Sequence, residues 1–156
     1  MASVDYTGRT VDLLIFQGVK EVGNQRITTS WGTAGELCTG VQKIAQSWTI
    51  LLFTEQGTVL NEPTRGCDFL QAVRTGRIQV DEDIPSEFAI ASAQIARTMR
   101  TDALDQDLPD DERLADTELL NYSILRAAAL LYLKVRLHSV AGDSRTVFLP
   151  ISVSIR

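Results

Sequence analysis

Residues 127–156 read AAALLYLKVRLHSVAGDSRTVFLPISVSIR, and this stretch decides the fold class. Two alternating runs flank the polar turn Val140-Ala141-Gly142-Asp143-Ser144. In the first run Leu131, Leu133, Val135 and Leu137 share one face, while Tyr132, Lys134, Arg136 and His138 share the other. In the second, Val147, Leu149, Ile151, Val153 and Ile155 alternate with Phe148, Pro150, Ser152 and Ser154. Period-two alternation around Gly-Asp predicts a β-hairpin. Pro150 has no N–H to give to a ladder, so the second run suits an edge strand. An edge strand with an apolar face either closes an ordinary core or accepts a strand from another chain.

Upstream, Leu119–Leu125 alternates in the same way and predicts a further strand, giving an antiparallel sheet of at least three. Before it come helical patterns. Leu37, Val41, Ile44, Trp48 and Leu51 or Leu52 recur at three-to-four spacing, with Thr33 and Glu36 placed as a capping box and Gly57 as a stop. Gln42, Lys43, Gln46 and Ser47 fall on the outer face of that helix. A connection with two glycines and a proline leads to a short helix over residues 67–73. A second long helix is predicted from about Ser86, a candidate cap, to Leu104, with Phe88, Ala91, Ile95 and Met99 inward. The first 35 residues read as extended, with strands at Val11–Phe16 and Arg26–Thr29. They form a short ribbon or an arm that orders on a partner. Helices followed by strands predict an α+β fold, with two long helices and a short one packed on a small antiparallel sheet. The expected division is an arm over 1–35 and a domain over 36–156.

The 156 residues suit one core. No run approaches the ~20 apolar residues of a membrane helix, and the first ten residues carry no apolar signal core. Cys38 and Cys67 lack metal-ligand spacing and read as reduced core residues. Charge is uneven: residues 81–118 carry twelve acidic and three basic side chains, whereas residues 119–156 carry one acidic and five basic. That polarity fits a subunit with different neighbours at its two ends. No basic groove with interleaved aromatics suggests nucleic acid.

Catalytic patterns are sparse. The single histidine, His138, lies on the polar face of a predicted strand, and no nucleophile elbow, phosphate-cradling loop or metal cluster accompanies it. No catalytic, cofactor-binding or metal-binding residue is assigned. Paired carboxylates are the one alternative. Glycoside hydrolysis needs two roughly 5 to 9.5 Å apart, and Glu55, Glu62 and Asp68 lie within one connection.

The helix ending in Leu51-Leu52-Phe53-Thr54-Glu55-Gln56-Gly57, and then Glu62-Pro63-Thr64-Arg65-Gly66-Cys67-Asp68-Phe69, resembles the baseplate wedge proteins of contractile phage tails and their type VI secretion counterparts. The resemblance covers about residues 36–156. It implies a sheath initiator, a structural subunit present as a ring of copies in the virion tail baseplate and assembled in the host cytoplasm. By that resemblance the partners are the tail sheath protein and other wedge proteins, with the hub or tail tube as further neighbours, and no nucleic acid or membrane. The first sheath ring would dock by strand exchange on the hairpin, at Val147, Leu149, Ile151, Val153 and Ile155. The family's Glu-Pro-Arg motif, which grips the wedge core bundle, carries over to Glu112 and Arg113. Here the proline between them is missing and Pro109 lies upstream. Members of the family are also labelled lysozyme-like, which supplies the rival expectation of a cell-wall hydrolase.

Overall fold

The computed structural model describes residues 10–14, 16–18, 27–29 and 37–153. The proposed capping box at Thr33 and Glu36 and the edge residue Ile155 lie outside them. The fold is α+β. Near the N-terminus β1 (Asp12–Leu13) pairs antiparallel with β4 (Leu37–Cys38), and β2 (Phe16–Gly18) with β3 (Ile27–Thr29). Three helices follow: α1 (Gly40–Phe53), α2 (Phe69–Arg74) and α3 (Ile84–Asp105). The chain then forms a three-stranded antiparallel sheet from β5 (Leu114–Leu125), β6 (Leu130–Ser139) and β7 (Ser144–Ser152), in that spatial order.

The alternation in β6 does what period two requires. Leu131, Leu133, Val135 and Leu137 are at most 1% exposed and form the floor of the core, joined by Leu149 and Ile151 from β7. The helices cover this floor. From α1 come Ile44, Ala45, Trp48, Leu51 and Leu52, and from α3 come Ile84, Phe88, Ala91 and Ile95. Trp48 and Phe88 join the two helices, with ring centroids 6.0 Å apart and planes tilted by 45°. Such a tilted pair adds stability beyond its buried area.

Several boundaries differ from the sequence expectation. The helix expected to include Leu37 begins at Gly40, because Leu37 and Cys38 are drawn into pairing with Asp12 and Leu13. Leu37 is therefore exposed and absent from the buried stripe. Gln46 is buried rather than outward, held by Asp12 and by the Leu13 carbonyl at 3.0 and 2.8 Å. Cys38 and Cys67 are both buried free thiols, but Cys38 is in a strand and Cys67 in an isolated bridge to Glu55. Ser86 lies inside the first turn of α3, where its hydroxyl donates to the Asp83 carbonyl; Asp83 holds the cap position. The strand expected to open at Leu119 begins at Leu114, with register shifts between Leu114 and Asp116 and between Leu119 and Asn121.

One backbone detail fixes the 54–67 connection. Gly66 has φ +95°, and a Cβ there would stand 2.1 Å from the Thr54 carbonyl oxygen. That oxygen accepts the Cys67 N–H at 2.9 Å. Only glycine lets the returning chain come this close at positive φ.

Candidate functional site: the β7 edge and the Glu112 node

The pairing pattern of the hairpin shows which backbone groups β7 offers to a neighbour. Opposed residues in β6 and β7 include Leu131 with Ile151, Leu133 with Leu149 and Val135 with Val147. The same register places Ala129 opposite Val153 and Ser139 opposite Asp143. Val153 N–H donates to Ala129 O at 2.9 Å, and Ser139 N–H to Asp143 O at 2.8 Å. Opposed residues that bond directly are the hydrogen-bonded pairs of an antiparallel ladder, and such pairs alternate with non-bonded ones. The odd-numbered residues of β7 therefore bond inward to β6. The N–H and C=O groups of Ser144, Thr146, Phe148 and Ser152 point to the outer edge, as does the carbonyl of Pro150. Among the described residues no strand pairs with that edge.

The other edge of the sheet is treated differently. Ile124, opposite Leu131, has its N–H facing away from β6, and the Asp81 carboxylate accepts it at 2.8 Å. Asp81 belongs to a 3-10 turn over Asp81–Asp83 that lies against β5. The β5 edge is thus locally capped, whereas among the described residues no strand covers the β7 edge.

The side chains of β7 divide between two surfaces. Leu149 and Ile151 are 0% and 3% exposed and belong to the core, with Val147 and Val153 half-buried against it. On the opposite face Phe148 lies under Lys134, whose Nζ is 5.1 Å from the ring centroid. Arg136 pairs there with Glu118 at 3.4 Å, and His138 Nε2 stands 3.9 Å from the same carboxylate.

Glu112 and Arg113 part company. Glu112 has a fully buried side chain, and its Oε2 meets Lys43 Nζ at 3.2 Å. The Thr10 hydroxyl donates to the same oxygen, and Lys43 also donates to Thr10 Oγ1. Glu112 Oε1 has no hydrogen-bond partner. Arg113 is exposed at its guanidinium and pairs with Asp110 at 3.1 Å. Glu112 therefore ties the N-terminal segment and α1 to the entrance of the sheet, while Arg113 belongs to the acidic surface tip. Sequence reading missed Thr10, Lys43 and Gln46 in this node. Its one available signal was the spacing of Lys43 and Gln46, three residues apart on either side of the buried Ile44.

The carboxylates nominated for hydrolysis go to separate partners. Glu55 accepts from Arg74. Glu62 shares Arg65 with Asp102, each at 3.0 Å, and the hydrogen bonds to Asp102 hold the Arg65 pKa above its ordinary value. Asp68 accepts from Gln94 Nε2 at 3.0 Å while its own N–H donates to Gln94 Oε1. A groove of about 760 Å³ between the 56–65 connection and α3 is lined by Glu62, Arg65, Arg97 and Asp102 among others. Its Glu62 and Asp102 are bound to a cation rather than set in the apolar surroundings that raise a general acid. Among the described residues no group of three His, Cys, Asp or Glu side chains could hold a metal ion.

No family model, curated protein or solved structure matches this chain.

Proposed function

We propose that the chain is a structural, non-enzymatic subunit of a contractile phage-tail baseplate that offers its last strand to the first sheath ring. The open edge of β7 carries this reading. An exposed edge supplies main-chain donors and acceptors for strand addition, and the alternate side chains of the added strand set its register. The meeting surface in this proposal is the outward backbone of β7 rather than the Leu149 and Ile151 side chains, which belong to the chain's own core. Contact with other wedge proteins falls to Arg113 and the acidic tip around Asp110, because Glu112 is enclosed.

Deleting the chain from Ser144 onward would confuse docking with folding, since it would remove Leu149 and Ile151 from the core. A proline at Thr146 is cleaner. The Thr146 N–H faces the open edge, so Thr146→Pro removes an outward donor and leaves the ladder to β6 in place. In the proposed role this variant remains folded but fails to nucleate sheath in an assembly assay. Antibody label on purified contractile particles is expected where sheath meets baseplate. Label absent from particles, or normal sheath growth with Thr146→Pro, would sink the proposal.

A further inference from the structure

An open strand edge is a hazard as well as a docking surface, because any second copy carries the same unpaired groups. Pro150 sits on that edge at a telling position. It lies opposite Tyr132, so it belongs to the even-numbered set whose nitrogens face outward. It is exposed, and it takes nothing from the β6 ladder, which bonds through Leu149 and Ile151. Where Thr146, Phe148 and Ser152 each offer an N–H, Pro150 offers a ring. A strand added alongside would bring a carbonyl oxygen to that point and meet Cδ instead of a donor.

We infer that Pro150 guards the β7 edge: it confines any added strand to the stretch Ser144–Phe148 and keeps two copies of this chain from pairing along the whole edge. The arithmetic of antiparallel self-pairing supports this. A two-fold centred on Phe148 would use the edge from Ser144 to Ser152, but it places Pro150 of each copy opposite Thr146 of the other. The two outermost pairs are then separated from the central one by a broken position on each side. A two-fold centred on Thr146 avoids Pro150 but engages only Ser144 to Phe148. Full-length self-pairing is blocked, while a partner strand that ends opposite Phe148 still fits.

The guard concerns copies of this chain alone, so its test needs no tail protein and its failure is separable from failure of the sheath reading. Pro150→Ala restores the outward donor without touching the core. Sedimentation of the full chain across a concentration series is expected to show self-association about tenfold or more tighter than wild type, from one regained hydrogen bond on each copy. Adding Thr146→Pro to Pro150→Ala should return the protein to wild-type behaviour. Hydrogen exchange gives a second readout. In concentrated Pro150→Ala the amides of residues 146, 148, 150 and 152 should become protected, whereas those of 147, 149 and 151 should not change. The inference is overturned if Pro150→Ala sediments as wild type does. It is equally overturned if association persists in the double variant with no new protection of the even-numbered amides, since the contact would then lie elsewhere.

Discussion

Replacing Lys43 by methionine should destabilise the fold far more than loss of a surface charge. The Glu112 side chain is fully buried, and Lys43 is 14% exposed. Methionine fills a similar volume but leaves the carboxylate with the Thr10 hydroxyl as its remaining donor. Removing one partner of a buried ion pair costs about 3–5 kcal/mol, against ~0–1 kcal/mol for an exposed pair. The partial exposure of Lys43 points to the lower end, about 3 kcal/mol. For a chain of this size that corresponds to roughly 6–12 °C in Tm. Glu112→Gln keeps the shape and removes the charge, so a cost of about 1–2 kcal/mol is expected. The double variant Lys43→Met with Glu112→Leu should recover most of the loss, because apolar replacement of a whole buried pair is often close to neutral. Urea unfolding followed by tryptophan fluorescence reads all four proteins. A cost below about 1 kcal/mol for Lys43→Met, or a double variant no more stable than Lys43→Met alone, would refute the argument that this pair is desolvated and coupled.

Two further perturbations probe the core and the connection. Gly66→Ala puts a methyl 2.1 Å from the Thr54 carbonyl at a backbone angle that disfavours alanine; thermal unfolding should show a loss of about 2–4 kcal/mol. Burial pushes the Cys38 and Cys67 thiols up to about 11. A pKa raised by folding contributes stability below the unfolded value and loses it as pH rises, so alkaline destabilisation should run from about pH 9 to pH 11 and be reduced in Cys67→Ser relative to that variant's own stability at pH 7. At pH 8 neither thiol should react with a maleimide reagent until the protein is unfolded.

The sheet was legible because its signal is local and redundant. Leu131, Leu133, Val135 and Leu137 repeat one face four times, and Gly142 permits the turn at φ +94°, so a one-residue slip would expose the entire set. The stripes of α1 and α3 were legible for the same reason. The start of α1 was not, because Leu37 and Cys38 fit a helical stripe and a strand equally well, and their distant partners Leu13 and Asp12 decide between them. Lys43 and Gln46 were misplaced for a related cause. Polar residues beside a buried stripe ordinarily face water, and only the return of residues 10–14 across α1 turns them into interior hydrogen-bonding groups.

Glu112 and Pro150 show how one sequence feature can carry opposite meanings. By the resemblance Glu112-Arg113 is a single motif that grips a partner. In the fold the two carboxylates Glu112 and Asp110 separate by environment: one is enclosed with Lys43, the other stays outside with Arg113. A motif expected to grip a partner is thus divided into an internal tie and an external charge. Pro150 reads as a mark of an edge strand, and the register gives it a sharper role, because its nitrogen faces away from β6. Had it fallen at Leu149 or Ile151, it would have broken the hairpin ladder itself. At residue 150 it leaves the hairpin intact and spends its missing donor on the outside. The same strand can therefore close the core through its odd-numbered residues and regulate what joins the sheet through its even-numbered ones.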